Sequence, residues 1–291
     1  MASVAVGHGV PSTVRKRRHT WRRGGFVLVN IGFVLSALFP FYWILTTSIK
    51  TTNELNAGTT GIFPAHQTGI AYKQIFTEFD FTRSLANSVV VALGTTLLTI
   101  VLATMASYAL ARLDIRGKGV VLGFVLLAGF FPILSIVGPL FLVYRRVGLL
   151  NSYPGLMLAY LIYTLPLSIW LLTNFFRQVP KELDEAAMVD GATRLQALRR
   201  IIVPVTMPTI ITAAIISFIL AWNDFTFALS FESDPHYATA PLAIVNLGQS
   251  QFQVFYNQID AAVVVVTLPV ALLVLLAQRR IVSGLTAGAV K

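Results

Sequence analysis

Six stretches of this chain, residues 26–49, 84–111, 119–144, 147–176, 201–223 and 261–278, each run at least 18 residues without an Asp, Glu, Lys or Arg. An α-helix rises about 1.5 Å per residue, so about 20 apolar residues cross the ~30 Å hydrocarbon core of a bilayer. The pattern predicts an all-α polytopic membrane protein with six transmembrane helices. Composition agrees, because apolar residues make up 56% of the 291 and charged residues 12%. A soluble chain of that length needs more polar surface than this. Pro132 and Pro139 fall in the third stretch, Pro166 in the fourth and Pro269 in the sixth. Proline within a span is tolerated where neighbouring helices satisfy the freed carbonyls, so a packed bundle of bent helices is expected.

The net charge of +10 then needs a location. With the N-terminus placed inside, 17 of the 22 Lys and Arg residues fall in inside segments and five, Lys50, Lys73, Arg83, Arg145 and Arg146, fall outside. This bias is the positive-inside signal, and it predicts that both termini are cytoplasmic. A nucleic-acid partner is excluded, since the basic residues flank apolar spans and form no basic face interleaved with aromatics. The cluster Arg15, Lys16, Arg17, Arg18, Arg22 and Arg23 resembles the basic region of a signal peptide. The apolar run after it is too long and lacks a small-residue cleavage site, so it reads as a retained first helix. Residues 1–24 are expected to be a disordered basic cytoplasmic segment. Residues 50–83 are too long and mixed in charge for a tight turn, so an ordered external segment is expected there. The chain has no cysteine, which excludes disulfides and thiolate chemistry. His8, His19, His66 and His236 are isolated, so no metal site is expected.

One inside loop, residues 178–204, has a pattern of its own. Pro180 suits a first helical position, and Glu182, Asp184 and Glu185 crowd the positive end of a helix dipole. Gly191 ends that helix, and Thr193 with Gln196 has capping-box spacing for a second one. Leu183, Ala186, Ala187 and Gly191 form a narrow face of small residues, suited either to close docking of a partner or to lying on the bilayer.

The order Glu185-Ala186-Ala187, three residues, Gly191, nine residues, Ile201-x-Val203-Pro204 resembles the EAA-x3-G-x9-I-x-L-P loop of importer-type ABC transporter permeases, with Val203 in place of the leucine. Asn87-Ser88, Trp222-Asn223-Asp224 and the segment 279–291 are similar to the MalG-like carbohydrate branch of that family. Within the branch, residues 106–112, 221–224 and 279–291 look most similar to permeases of actinobacterial trehalose importers. The resemblance implies a MetI-like transmembrane domain over residues 25–278, with a coupling helix in the 178–204 loop and a cytoplasmic tail over 279–291. It implies a bacterial inner-membrane subunit of an ATP-driven sugar importer, with trehalose or maltose favoured. The implied partners are a second, homologous permease, two cytoplasmic ATPase subunits and an extracytoplasmic sugar-binding protein. Glu185, Ala186, Ala187, Asp190, Gly191, Ile201 and Pro204 would couple to the ATPase, and Gly284, Leu285, Thr286 and Gly288 would reach between its two copies. ATP and Mg would sit on that partner, with no cofactor on this chain. The sequence agrees in having no G-x-x-x-x-G-K-[S/T] loop.

Asp224 is the acidic residue at the edge of a span. Trp222, Asn223 and Asp224 are therefore candidates for the substrate path, where an indole face suits a pyranose ring and a carboxylate faces an interior cavity. The competing assignment is a helix end bonded to backbone with an interfacial Trp. Asn87, Tyr108 and Asn174 read as interhelical hydrogen-bonding groups. An ion-coupled secondary transporter would need more buried ionisable residues and paired broken helices. A membrane enzyme would need a clustered His, Asp, Glu or Ser site, and none is visible. Glycerol phosphate is the alternative solute, because importers of that class share the same motifs.

Overall fold

The computed structural model describes residues 13–57, 61–247 and 254–286, with side chains over 26–57, 61–247 and 254–278. Every regular element among them is helical. In chain order these are α1 (Thr13–Ser48), α2 (Thr52–Asn56), α3 (Ile70–Thr77), α4 (Phe81–Arg112), α5 (Lys118–Gly129), α6 (Ile133–Val147), α7 (Tyr153–Gln178), α8 (Glu182–Val189), α9 (Arg194–Ala197), a π-helical turn (Leu198–Ile202), α10 (Val203–Trp222), α11 (Thr226–Phe231), a 3-10 turn (Pro235–Tyr237), α12 (Ala240–Leu247) and α13 (Tyr256–Thr286).

Five segments are long and apolar enough to span a bilayer: Phe26–Ser48, Phe81–Arg112, Tyr153–Gln178, Arg194–Trp222 and Tyr256–Gln278. The remaining stretch is not the single crossing that its uncharged sequence suggests. Helices α5 and α6 meet at 89°, so six spans result only if this broken pair counts as one. The break has a local cause. Pro132 has no N–H to donate and disfavours helical backbone at Phe131, so α5 ends at Gly129 and α6 starts after the proline. Pro139, Pro166 and Pro269 lie inside helices, as the sequence suggests.

Helices α4, α7 and α10 form the centre of the bundle. Lipid tails are as apolar as leucine, so helices in a membrane associate through small residues and polar side chains that bond across the interface. A Cβ at Gly94 of α4 would overlap the end of the Met157 side chain on α7. The Thr99 and Thr164 hydroxyls bond at 2.8 Å, Ser107 donates to the Ile169 carbonyl at 3.0 Å, and Ser168 meets Ser217 of α10 at 3.0 Å. Apolar packing falls into two clusters, one around Tyr160, Trp222, Phe227 and Phe231, the other around Leu172, Phe176, Leu198 and Ile202 beside the 178–204 loop. Helix α1 packs on α13, and its apolar residues from Phe26 to Phe41 are exposed.

The 50–83 segment is ordered where described. Lys50 is buried, and its ammonium donates to the Gly61 carbonyl at 2.6 Å while lying over the Trp43 ring. Asn87 of α4 bonds to α7 through its side chain, as the sequence suggests, and also to the loop after α11. Its amide pins the loop after α11 by donating to the His236 and Ala238 carbonyls at 2.9 Å each, and its oxygen accepts from the Tyr153 hydroxyl at 2.7 Å.

The N-terminal end differs from expectation. Helix α1 begins at Thr13, so residues 13–24, expected as disordered, continue the first span as helix. Lys, Arg and Trp there carry no helix-breaking chemistry, and extension adds one hydrogen bond per residue to an existing nucleus. Helix α13 runs through Thr286, so residues 279–286 of the expected tail are helical beyond the span that ends at Gln278. Residues 1–12 and Gly288 lie outside the described residues.

Candidate coupling loop and transport cavity

The 178–204 loop folds as a helix, a left-handed turn and a second helix. Helix α8 starts at Glu182, two residues after Pro180, with Glu182, Asp184 and Glu185 in its first turn. Gly191 closes it at φ +85°, where its N–H bonds the Met188 carbonyl at 3.1 Å and the Ala192 N–H bonds Ala187 at 2.9 Å. This paired closure needs left-handed backbone at its centre, which glycine adopts without a Cβ penalty. The Thr193–Gln196 capping box forms in both directions, at 3.3 and 2.8 Å. The chain then passes through the π-helical turn, with Ile201 inside it, into α10, whose first turn holds Pro204.

Glu185, Ala186, Asp190 and Gly191 are all exposed on α8 or at its end. Ala187 is not with them. It is buried toward the rest of the chain, because it follows Asp184 by three residues and shares the inward side of the helix. Exposure on this loop extends beyond a small-residue stripe. Leu183, Met188 and Val189 of α8 and Leu195 of α9 are uncovered, with Val189 86% and Leu195 65% exposed. Asp184 is also more than a helix-terminus charge. Its carboxylate lies 2.8 Å from Nε of Arg112, the last residue of α4, and the two side chains are 7% and 5% exposed. Burial raises the Asp184 pKa above its ordinary value, opposed by the Arg112 charge and assisted by Glu185. Charge pattern suggested Asp184, but nothing in the sequence marked Arg112 as its partner.

The second site is a cavity of about 570 Å³ at the α5–α6 corner. Its apolar wall includes Leu126, Phe130 and Pro166, and its polar groups are Tyr163, Asn223, Asp224 and Thr226. A mostly apolar wall with a few convergent polar groups is the usual form of a small-molecule site. Asn223 and Asp224 are therefore together in it, but Trp222 is not. The indole is 2% exposed, stacks on Phe218 with ring centres 5.6 Å apart, and donates to the Val266 carbonyl at 3.3 Å. One helical position turns it into the core, so no face remains for a sugar. Asp224 also caps α11, with Oδ1 accepting the Phe227 and Ala228 N–H groups at 3.1 and 3.4 Å. Sequence reading missed Tyr163 and Thr226, whose polar groups converge with Asp224 only through the fold. Among the described residues, no group of three or more His, Asp or Glu side chains is arranged to hold a metal.

Residues 57–286 match the model of a protein family described as the binding-protein-dependent transport system inner membrane component. The chain belongs to this family. This permease is 45% identical over 256 residues to the trehalose transport system permease protein SugB of Mycobacterium tuberculosis, covering 88% of this chain and 93% of that one. It is 39% identical to the sulfoquinovosyl glycerol transport system permease protein SmoH of Agrobacterium fabrum over the full length of both. It is 37% identical to the trehalose/maltose transport system permease protein MalG of Thermococcus litoralis, covering 91% and 96%. A solved bacterial ABC transporter that imports the acidic polysaccharide alginate shares the fold, with a TM-score of 0.75 at 24% identity over 93% of this chain and 99% of that one. The permease is thus a multi-pass membrane subunit of the MalG-like carbohydrate branch, a transport component rather than an enzyme.

Proposed function

We propose that this permease moves a disaccharide of the trehalose or maltose kind inward by alternating access, driven by a separate ATPase that docks on the 178–204 loop. The observation that carries the reading is a set of exposed apolar side chains, Leu183, Met188, Val189 and Leu195, around a loop that charge bias assigns to the cytoplasm. Val189, between Glu182 and Glu185 on the side of α8 opposite buried Asp184 and Ala187, is the outward apolar contact that such a partner would meet. ATP and Mg belong to that partner. A second, homologous permease completes the pathway, an extracytoplasmic binding protein supplies the solute, and both termini are cytoplasmic. Asn223 and Asp224, with Tyr163 and Thr226, line the path of the solute. Among the described residues no Lys or Arg lines the cavity, which favours an uncharged sugar over glycerol phosphate. The sugar class itself is taken from the SugB and MalG relatives.

The test is Val189→Arg in the complete transporter. A guanidinium in place of this outward valine is expected to abolish co-purification of the ATPase while the permease still accumulates in the membrane. Undiminished ATPase recovery would overturn the docking assignment. Sugar class is tested separately, by measuring which ligand the co-purifying binding protein retains.

A further inference from the structure

The Arg112–Asp184 pair joins two elements that the chain keeps far apart in sequence. Arg112 is the last residue of α4, and Asp184 lies in the first turn of α8. Each charge sits at the helix end whose dipole favours it, the cation at a C-terminus and the anion at an N-terminus. Neither carboxylate oxygen of Asp184 has a hydrogen-bond partner besides this ion pair, and both side chains are almost fully removed from solvent. A buried pair of this kind holds its geometry, because separating the charges leaves each one desolvated without compensation.

What the pair connects gives it a mechanical meaning. Immediately after Arg112, residues 113–117 form the corner into α5, with Leu113 extended and Gly117 left-handed at φ +77°. The far end of α5, at Leu126, Gly129 and Phe130, lines the transport cavity. Displacement of α8 is therefore passed through Asp184 and Arg112 to the base of the helix whose other end walls the solute.

We propose that the Arg112–Asp184 ion pair is the strut that transmits coupling-helix movement to the α4–α5 corner, making both side chains positioning residues for coupled transport. The inference rests on the docking reading above and adds the link from the docked helix to the membrane helices.

The experiment uses the complete transporter in proteoliposomes, with ATP hydrolysis and solute uptake measured on the same preparation. Asp184→Asn and Arg112→Gln keep the exposed α8 face, so the ATPase is expected to co-purify and hydrolyse. The solute moved per ATP is expected to fall at least about fivefold, in the range by which residues linking two sites alter their coupling. Arg112→Lys, which retains the charge, is expected to restore most of that ratio. An unchanged ratio in both neutral variants overturns the strut.

A second measurement needs no change to the pair. The chain has no cysteine, so spin labels at Asp114→Cys and Lys181→Cys, both exposed positions outside the docking set, report one distance across the strut. That distance is expected to stay constant between nucleotide-free and ATP-bound transporter, and a nucleotide-dependent change in it overturns the proposal even where a neutral variant fails to accumulate. Failure of the strut remains distinct from failure of the docking reading. If Val189→Arg removes the ATPase while Asp184→Asn leaves the ratio intact, docking stands and the strut falls. If Val189→Arg leaves the ATPase bound, the docking surface itself is wrong.

Discussion

Glu232 shows how much a single buried carboxyl can influence this fold. It is 6% exposed at the end of α11, and burial pushes its pKa up to about 8, opposed by the Ser152 backbone amide and increased by the Asp234 charge. In the unfolded chain its pKa is near 4.5, so the folded state holds a proton that the unfolded state releases between about 4.5 and about 8. Stability from this group is thus complete below that window and falls as pH rises through it. Glu232→Gln is expected to flatten the pH dependence, raising the melting temperature at pH 8 more than at pH 5, as followed by thermal unfolding in detergent. Trp222 and Asp224 separate just as cleanly. Trp222→Ala empties a core position and is expected to cost about 3–5 kcal/mol. Uptake should then fall in proportion to the folded protein left. Asp224→Asn keeps the cap acceptor, so abundance should hold while uptake per folded molecule drops; unchanged uptake would remove Asp224 from the path. The Trp-Asn-Asp run was visible in sequence, but which of its members faces a cavity depends on helix phase relative to neighbours. The Arg112–Asp184 pair was invisible for a related reason, since charges 72 residues apart carry no mark of their meeting.

Elements were more legible than residues where local chemistry sets them. The turn at Gly191 and the cap at Thr193 follow from rules that act over six residues or fewer, and both form as the sequence indicates. At φ +85° glycine cannot be replaced by proline, whose ring fixes φ near −65°. Gly191→Pro is expected to leave the spans inserted but to separate ATP hydrolysis from uptake, read as hydrolysis that continues without solute accumulation. Close helix approach is set by pairs rather than runs. Gly94→Leu drives a side chain into Met157 and is expected to cost about 1–3 kcal/mol, and Met157→Ala in the same chain should recover part of it in a double-mutant comparison of melting temperatures. The third span shows the opposite limit. Charge and hydropathy are blind to direction, so an unbroken apolar run concealed a right-angle corner, although Pro132 stood inside it.

At the scale of the whole molecule, the long apolar runs were enough for the class and for five of the six segments, because they act through the bilayer and need no knowledge of packing. The α5–α6 corner adds a constraint that no such run contains. Helix α5 has 12 residues and so rises only about 18 Å, little more than half of a ~30 Å hydrocarbon layer. The corner is therefore not the end of a full crossing, and the cavity beside it carries the Asp224 carboxylate and Asn223 amide. Lipid cannot solvate such groups, so this flank is unsuited to permanent contact with the bilayer. A permease produced without its proposed second permease is expected to turn over faster in the membrane than one produced with it. Pulse-chase of the two preparations measures the difference, and substitution of Asp224 by leucine should narrow it.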